Sequence, residues 1–288
     1  MIMKKNIETL HPCLGGQLNN ARIHLPVSPV CNIKCKYCKR AIDNYSDRPG
    51  VSGGIIGVDE VEDIMTRALE ICPQITVAGI SGPADPLATN HAIDAFEIID
   101  KNFPDIVKCL STNGLCLYNR IEDIVRVNVD AITVTVNAVD PEIEARINKG
   151  ICIKGKWIYS LDAAKILINR QLMGIKAAAQ AGIFVKINTV LIPGINDKHI
   201  GKVAKKVASL GAKVFNVIGL IPQADMSGIR EPGCDAIDKA RQEASSYMKV
   251  FSHCARCRAD AVGMIGKDDL RYEIYGDMNI DYENFSHG

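Results

Sequence analysis

The sequence predicts an α/β fold, a largely parallel sheet whose strands are joined by crossover helices. Two patterns point there. Short β-branched runs alternate with longer amphipathic stretches, and several of those runs are nearly apolar throughout, as strands covered on both faces are. Strands are expected at Arg22–Val27, Ile75–Ile80, Val107–Ser111, Ala131–Val136, Phe184–Leu191 and Lys213–Ile218. Among the helices, Val58–Ile71 puts Val61, Ile64, Met65, Ala68 and Leu69 on one face. His91–Asn102 follows Thr89 and Asn90, either of which can cap it. Asp140-Pro141 opens a helix with proline where a missing N–H does no harm. Leu161–Gly182, Asp197–Leu210 and Asp235–Phe251 complete the set. Six β-α units make a doubly wound sheet or an incomplete (β/α) barrel, and either collects chemistry at the strands' C-terminal ends.

Composition narrows the function. The chain has 288 residues, 47% hydrophobic and 23% charged, with a net charge of +1. That balance leaves no excess of cations for a nucleic-acid backbone. Lys198, Lys202, Lys205 and Lys206 recur at helical spacing and read as a solvated face. No run of eighteen apolar residues spans a membrane, and Met1–Leu10 lacks a signal core, so a cytoplasmic protein is expected. In that reducing compartment eleven cysteines point to metal or cluster ligation rather than to disulfides.

The sharpest motif is Cys31-Asn-Ile-Lys-Cys35-Lys-Tyr-Cys38, directly after the first strand. Three thiolates at this spacing hold three irons of a [4Fe–4S] cubane and leave the fourth open to a small ligand. The amine and carboxylate of S-adenosylmethionine (SAM) suit that corner, and Tyr37 fits the same loop. The plainer alternative is a structural zinc site, which wants a fourth ligand that the local motif lacks. Other polar residues fall at successive strand ends and suit a SAM pocket: Gly82 and Asp85, Ser111 and Asn113, Asn137, and Asn188. Each, alone, is more often a turn or cap residue than a ligand; together, at successive strand ends, they gain weight.

These residues resemble a known family. C-x3-C-x2-C after the first strand marks the radical SAM superfamily. His11-Pro12-Cys13, Ala21–Val27, Arg48-Pro49-Gly50-Val51, Gly82–Leu87, Cys109–Gly114 and His253–Gly263 together resemble the NifB family of nitrogenase cofactor biosynthesis proteins. The resemblance implies a partial (β/α)6 TIM-like barrel of the radical SAM type over residues 21–230. Short cysteine-bearing extensions are expected at 1–20 and 231–288. It implies a SAM-binding [4Fe–4S] cluster and two further [4Fe–4S] substrate clusters. These would be fused, with a SAM-derived carbide and an added sulfur, into the 8Fe–9S–C precursor of the nitrogenase cofactor.

Carried over by position, Cys13, His24 and Cys109 would hold one substrate cluster, and Cys254 and Cys257 the other. A neutral imidazole is a weaker, more labile ligand than thiolate, which suits a cluster that must be released. The family has a cysteine about ten residues before the His-Cys pair, where this chain has Ala244; Cys234 is the substitute third ligand. Asp47 aligns with an acidic residue near the family's active site, although a lone acid before Arg48 also reads as a surface charge.

Two other functions fit the same cysteines. One is a radical SAM enzyme acting on a peptide or small molecule, with auxiliary electron-transfer clusters. The other is a non-catalytic cluster scaffold or carrier. Expected partners are a reductant protein, an iron–sulfur cluster donor and a cofactor carrier protein, the carrier being expected as a separate protein because the chain ends soon after the His-Cys motif; neither nucleic acid nor membrane is expected.

Overall fold

In the computed structural model the description covers residues 6–15, 19–276 and 278, so parts of the two expected extensions lie outside it. In chain order the strands are β1 (Ala21–His24), β2 (Ile33–Cys35), β3 (Ala41–Ile42), β4 (Val51–Ser52), β5 (Ile75–Ile80), β6 (Val107–Thr112), β7 (Ala131–Thr135), β8 (Asn148–Ile153), β9 (Lys156–Tyr159), β10 (Phe184–Leu191), β11 (Val214–Gly219), β12 (Lys249–Phe251) and β13 (Val262–Met264). The α-helices are α1 (Ile7–Leu10), α2 (Val61–Ile71), α3 (His91–Asn102), α4 (Ile121–Arg126), α5 (Pro141–Ile147), α6 (Ser160–Gln180), α7 (Ile200–Ala208), α8 (Cys234–Ser245) and α9 (Arg271–Tyr275).

The main sheet runs β12-β11-β10-β7-β6-β5-β1-β13. Every pairing in it is parallel except β1 with β13. The predicted α/β class is therefore observed, as an open sheet whose outer strands β12 and β13 do not pair with each other. The six expected strands form its middle. Helices cover the outer face: Val61, Ile64 and Met65 of α2, Ile93 and Phe96 of α3, and Val203 and Val207 of α7 are buried in one apolar core with the sheet.

The inner face is different, and it departs from the expectation of strands apolar on both sides. In β6, Leu110 joins the core while Cys109 and Ser111 line a cavity. In β10, Val185 and Ile187 face the core, and Lys186 and Asn188 face the cavity. The period-two alternation of a strand thus separates an apolar outside from a polar inside.

Three local expectations are corrected. The helix expected over Asp235–Phe251 stops at Ser245, and Lys249–Phe251 becomes edge strand β12 beside β11. Val250 and Phe251 favour a pleated, half-buried position, which outweighs the continuing helical pattern. Helix α4 and the β8–β9 hairpin were not expected. The hairpin pairs with β2 in a separate three-stranded sheet.

Candidate functional site

One cavity of about 330 Å³ opens on the inner face at the C-terminal ends of the strands. It is lined by Cys31, Cys35, Tyr37 and Cys38, and also by Cys13, His24, Cys109, Cys254 and Cys257. The chain therefore brings seven of its eleven cysteines, together with His24, to one space.

The loop side is built locally. Strand β2 carries Cys35 and pairs with β8, which holds the loop from behind. The Cys38 backbone N–H donates to the Cys35 carbonyl at 3.1 Å, closing the turn. Burial pushes the Cys31 thiol up to about 11 and Cys35 well above its ordinary range. Buried thiols of this kind are poorly stable as free thiolates, and ligation to iron offsets that cost. The donor set thus fits a cluster of the kind the motif implies. Among the described residues, no three His, Cys, Asp or Glu side chains close on a single-ion site.

The opposite side is assembled by sheet register. His24, Gly79 and Cys109 sit in one row across β1, β5 and β6. Gly79 has no side chain, and a Cβ there would lie 3.1 Å from both Cys109 Sγ and His24 Cδ2. A hollow is left between an imidazole and a thiol on flanking strands. His24 Nδ1 lies 2.9 Å from the Arg258 carbonyl, which accepts its proton, and 3.3 Å from Ser81 Oγ. Nε2 is the ring nitrogen left for a ligand. Burial holds His24 in its neutral form, lowering its pKa to about 4.

Cations face these thiols. Arg22 Nη2 donates to Cys257 Sγ at 3.3 Å. Buried Lys186 donates to the Cys13 carbonyl at 2.9 Å, and its ammonium lies 4.1 Å from the centre of the Phe251 ring. Burial raises Cys13 to about 11, with Lys186 pulling the other way. The C-terminal segment is tied down by a buried Arg258–Asp260 pair at 2.8 Å. Asp260 also accepts from the Gly53 N–H at 2.6 Å, and Arg258 donates to the Asp43 carbonyl at 2.8 Å.

The strand-end residues divide. Asp85 accepts from the Asn113 N–H at 2.7 Å, the Leu87 N–H at 2.9 Å and Thr112 Oγ1 at 2.9 Å. It braces the loop wall, and Asn113 extends that brace to Asn32 at 2.7 Å. Asn137 donates to Tyr37 Oη at 3.0 Å and accepts from the Val190 N–H at 2.9 Å. Asn188 accepts from Asn216 at 2.9 Å, and Ser111 lines the same wall. Gly82 lies outside the lining; its φ of +148° turns the chain so closely that a Cβ would meet Ala259 at 3.2 Å.

Besides Gly82, two expected site residues are not brought to the cavity. Asp47 is exposed and lines a separate hollow beside Arg258. Cys234 is exposed at the start of α8. Ala244, at the position where the family has a cysteine, is fully buried in the apolar core. Among the other cysteines, Cys116 accepts from Asn32 at 3.1 Å and is not a lining residue.

The residues from Leu25 to Val207 match the model of the radical SAM superfamily. The chain is 42% identical to the FeMo cofactor biosynthesis protein NifB of Methanocaldococcus infernus, covering 96% of each chain. It is 39% identical to the protein of the same description from Methanocaldococcus jannaschii, covering 98% of this chain and 97% of that one. The chain belongs to the NifB family of the radical SAM superfamily. Its fold is shared with Streptococcus suis SuiB at a TM-score of 0.58 and 12% identity, over 89% of this chain and 52% of that structure.

This NifB-family cavity has lining residues that sequence reasoning passed over. Gly79 sits inside an apolar run and gives no local signal. Glu144, in α5, reads as a surface acid, yet it is 1% exposed and lines the cavity. Asn148 donates to one of its carboxyl oxygens; the other, Glu144 Oε2, and Asn148 Oδ1 are buried without a hydrogen-bond partner. Burial raises the Glu144 carboxyl to about 7. Only its place one turn after Asp140-Pro141, on the helix that follows Asn137, hints at this.

Proposed function

We propose that the chain is a SAM-dependent radical enzyme of nitrogenase cofactor biosynthesis, taking two [4Fe–4S] clusters as substrates. The observation that carries this reading is the single cavity shared by the C-x3-C-x2-C loop and the five remote ligands Cys13, His24, Cys109, Cys254 and Cys257. The two Methanocaldococcus relatives are described as FeMo cofactor biosynthesis proteins, and this chain spans nearly their whole length.

In this reading Cys31, Cys35 and Cys38 hold the SAM-binding cluster. When bound, it supplies the electron that cleaves the sulfonium C–S bond of SAM. The protein's own part is positioning. Asn137 fixes the Tyr37 hydroxyl against the loop, and Asp85 with Asn113 keeps the facing wall rigid. Glu144 Oε2 and Asn148 Oδ1 offer two acceptors to donor groups of a bound ligand.

On the far side, His24 and Cys109 flank the Gly79 hollow, which receives one substrate cluster, with Cys13 as the third ligand. Cys254 and Cys257 hold the other. Arg22 and Lys186 balance the negative charge of thiolate-bound clusters. Methyl transfer from SAM, conversion of that carbon to carbide, and entry of a sulfur give the fused 8Fe–9S–C product. The protein delivers it to a separate carrier. The test is anaerobic turnover with SAM. Formation of both S-adenosylhomocysteine and 5′-deoxyadenosine is expected; 5′-deoxyadenosine alone would overturn the methyl-transfer step.

A further inference from the structure

A basic, aromatic surface is built on the back of the cysteine loop. Residues 31–42 and 148–160 pair through β2, β8 and β9. Together they carry Lys34, Lys36, Lys39, Arg40, Lys149, Lys154 and Lys156, and not one Asp or Glu, in a chain whose net charge is only +1. Asp225 pairs with Lys149 at 2.5 Å, and Lys36 donates to the Ala145 carbonyl at 3.2 Å. Lys39, Lys154 and Lys156 are exposed.

Apolar surface is exposed at the same place. Trp157 is 36% and Tyr159 52% exposed, and their rings stack with centroids 6.3 Å apart. The Lys34 ammonium lies 4.5 Å from the centre of the Trp157 ring. Register explains the flat face: Gly150 pairs with both Lys34 and Tyr159. A Cβ at Gly150 would lie 2.7 Å from the Tyr159 ring, so only glycine lets that ring lie across the sheet. A flat aromatic pair rimmed by lysines is a surface for a partner that is acidic around an apolar centre.

Position selects which acidic partner. Cys35 is in β2 opposite Asn148, and Trp157 is in β9 opposite Cys152, two strands across and four residues along, roughly 16 Å at ordinary strand spacing and rise. Cys38 is exposed at the end of the same loop. We propose that the β8–β9 hairpin, with Lys34 and Lys39, docks a small acidic one-electron carrier protein that reduces the cluster in this loop. The inference rests on the loop holding a redox-active cluster, as argued above. Long-range attraction speeds such an encounter and weakens with salt, whereas the stacked aromatics hold it.

The test uses the reconstituted protein, a reduced acidic [2Fe–2S] ferredoxin and, separately, dithionite as a small reductant. Lys154→Glu with Lys156→Glu should slow cluster reduction by ferredoxin at least tenfold at low salt and flatten its salt dependence. Trp157→Ala should weaken ferredoxin binding measured by calorimetry, and reduction by dithionite should be unchanged in all variants. Unchanged ferredoxin kinetics would overturn the proposal. So would an equal loss with dithionite, which would mean that the hairpin merely supports the loop. Ferredoxin binding no stronger than that of a mixed-sequence DNA duplex would overturn it as well. Calorimetry with the cluster-free protein reads the surface independently. A loop that holds no reducible cluster therefore counts against the proposed function, and absent ferredoxin binding counts against the surface.

Discussion

The two sides of the cavity are built in opposite ways. The loop side takes three cysteines from eight consecutive residues, braced by one hairpin. The far side takes lining side chains from residues 13, 24, 109, 254 and 257, gathered by strand register and by the buried Arg258–Asp260 tie. A local site needs only its own turn to form, whereas a distributed one depends on the whole sheet and on the C-terminal segment reaching β1. Damage to the sheet or to that tie should therefore empty the far side while sparing the loop.

The largest effect should come from the loop itself. Replacing Cys31, Cys35 and Cys38 together with Ala should abolish SAM cleavage, measured as 5′-deoxyadenosine. Next comes Gly79→Val, which fills the hollow between His24 and Cys109. It should remove one cluster, about four irons, and leave SAM cleavage at the loop intact. Overpacking there should cost about 1–3 kcal/mol in chemical denaturation. Asp260→Ala strands a buried guanidinium and should cost about 3–5 kcal/mol. Iron should be lost from the Cys254 and Cys257 side first, since that segment is what the pair anchors.

A pH dependence sharpens the comparison from the loop side. The folded protein holds the Glu144 proton more tightly than the unfolded chain does, with its pKa raised from 4.5 to about 7. Its contribution is full below pH 4.5 and is lost as pH rises toward 7, where a buried charge must be carried. Across that window the wild-type protein should lose roughly 3 kcal/mol more than Glu144→Gln, read by urea denaturation of the cluster-free protein. The smallest effect should be that of Cys234→Ala. Exposed at the start of α8, Cys234 should leave the iron content unchanged.

What could be read in advance follows the same division. The C-x3-C-x2-C loop was legible because its chemistry is contiguous, and the parallel sheet because its apolar runs are periodic. The distributed cavity residues came only through a family resemblance, since nothing near His24 or Cys109 marks them as neighbours. Gly79 was illegible because its meaning lies in the register of β1, β5 and β6. Glu144 was illegible because helix α5 turns one acid inward, an orientation fixed by packing rather than by pattern. The β8–β9 hairpin was missed for the opposite reason: its exposed Trp157 and Tyr159 break the buried-strand pattern. Helix α8 was overextended because its polar pattern runs on past Ser245 into the edge strand.

The central claim is that one cavity holds two separable sets of iron ligands. Iron and acid-labile sulfide should be counted in anaerobically reconstituted wild-type protein and in the Cys31/Cys35/Cys38→Ala variant. The account predicts about twelve irons per chain in the first and about eight in the second, from three and two cubanes. A wild-type value near four, or a variant emptied of iron, would contradict it.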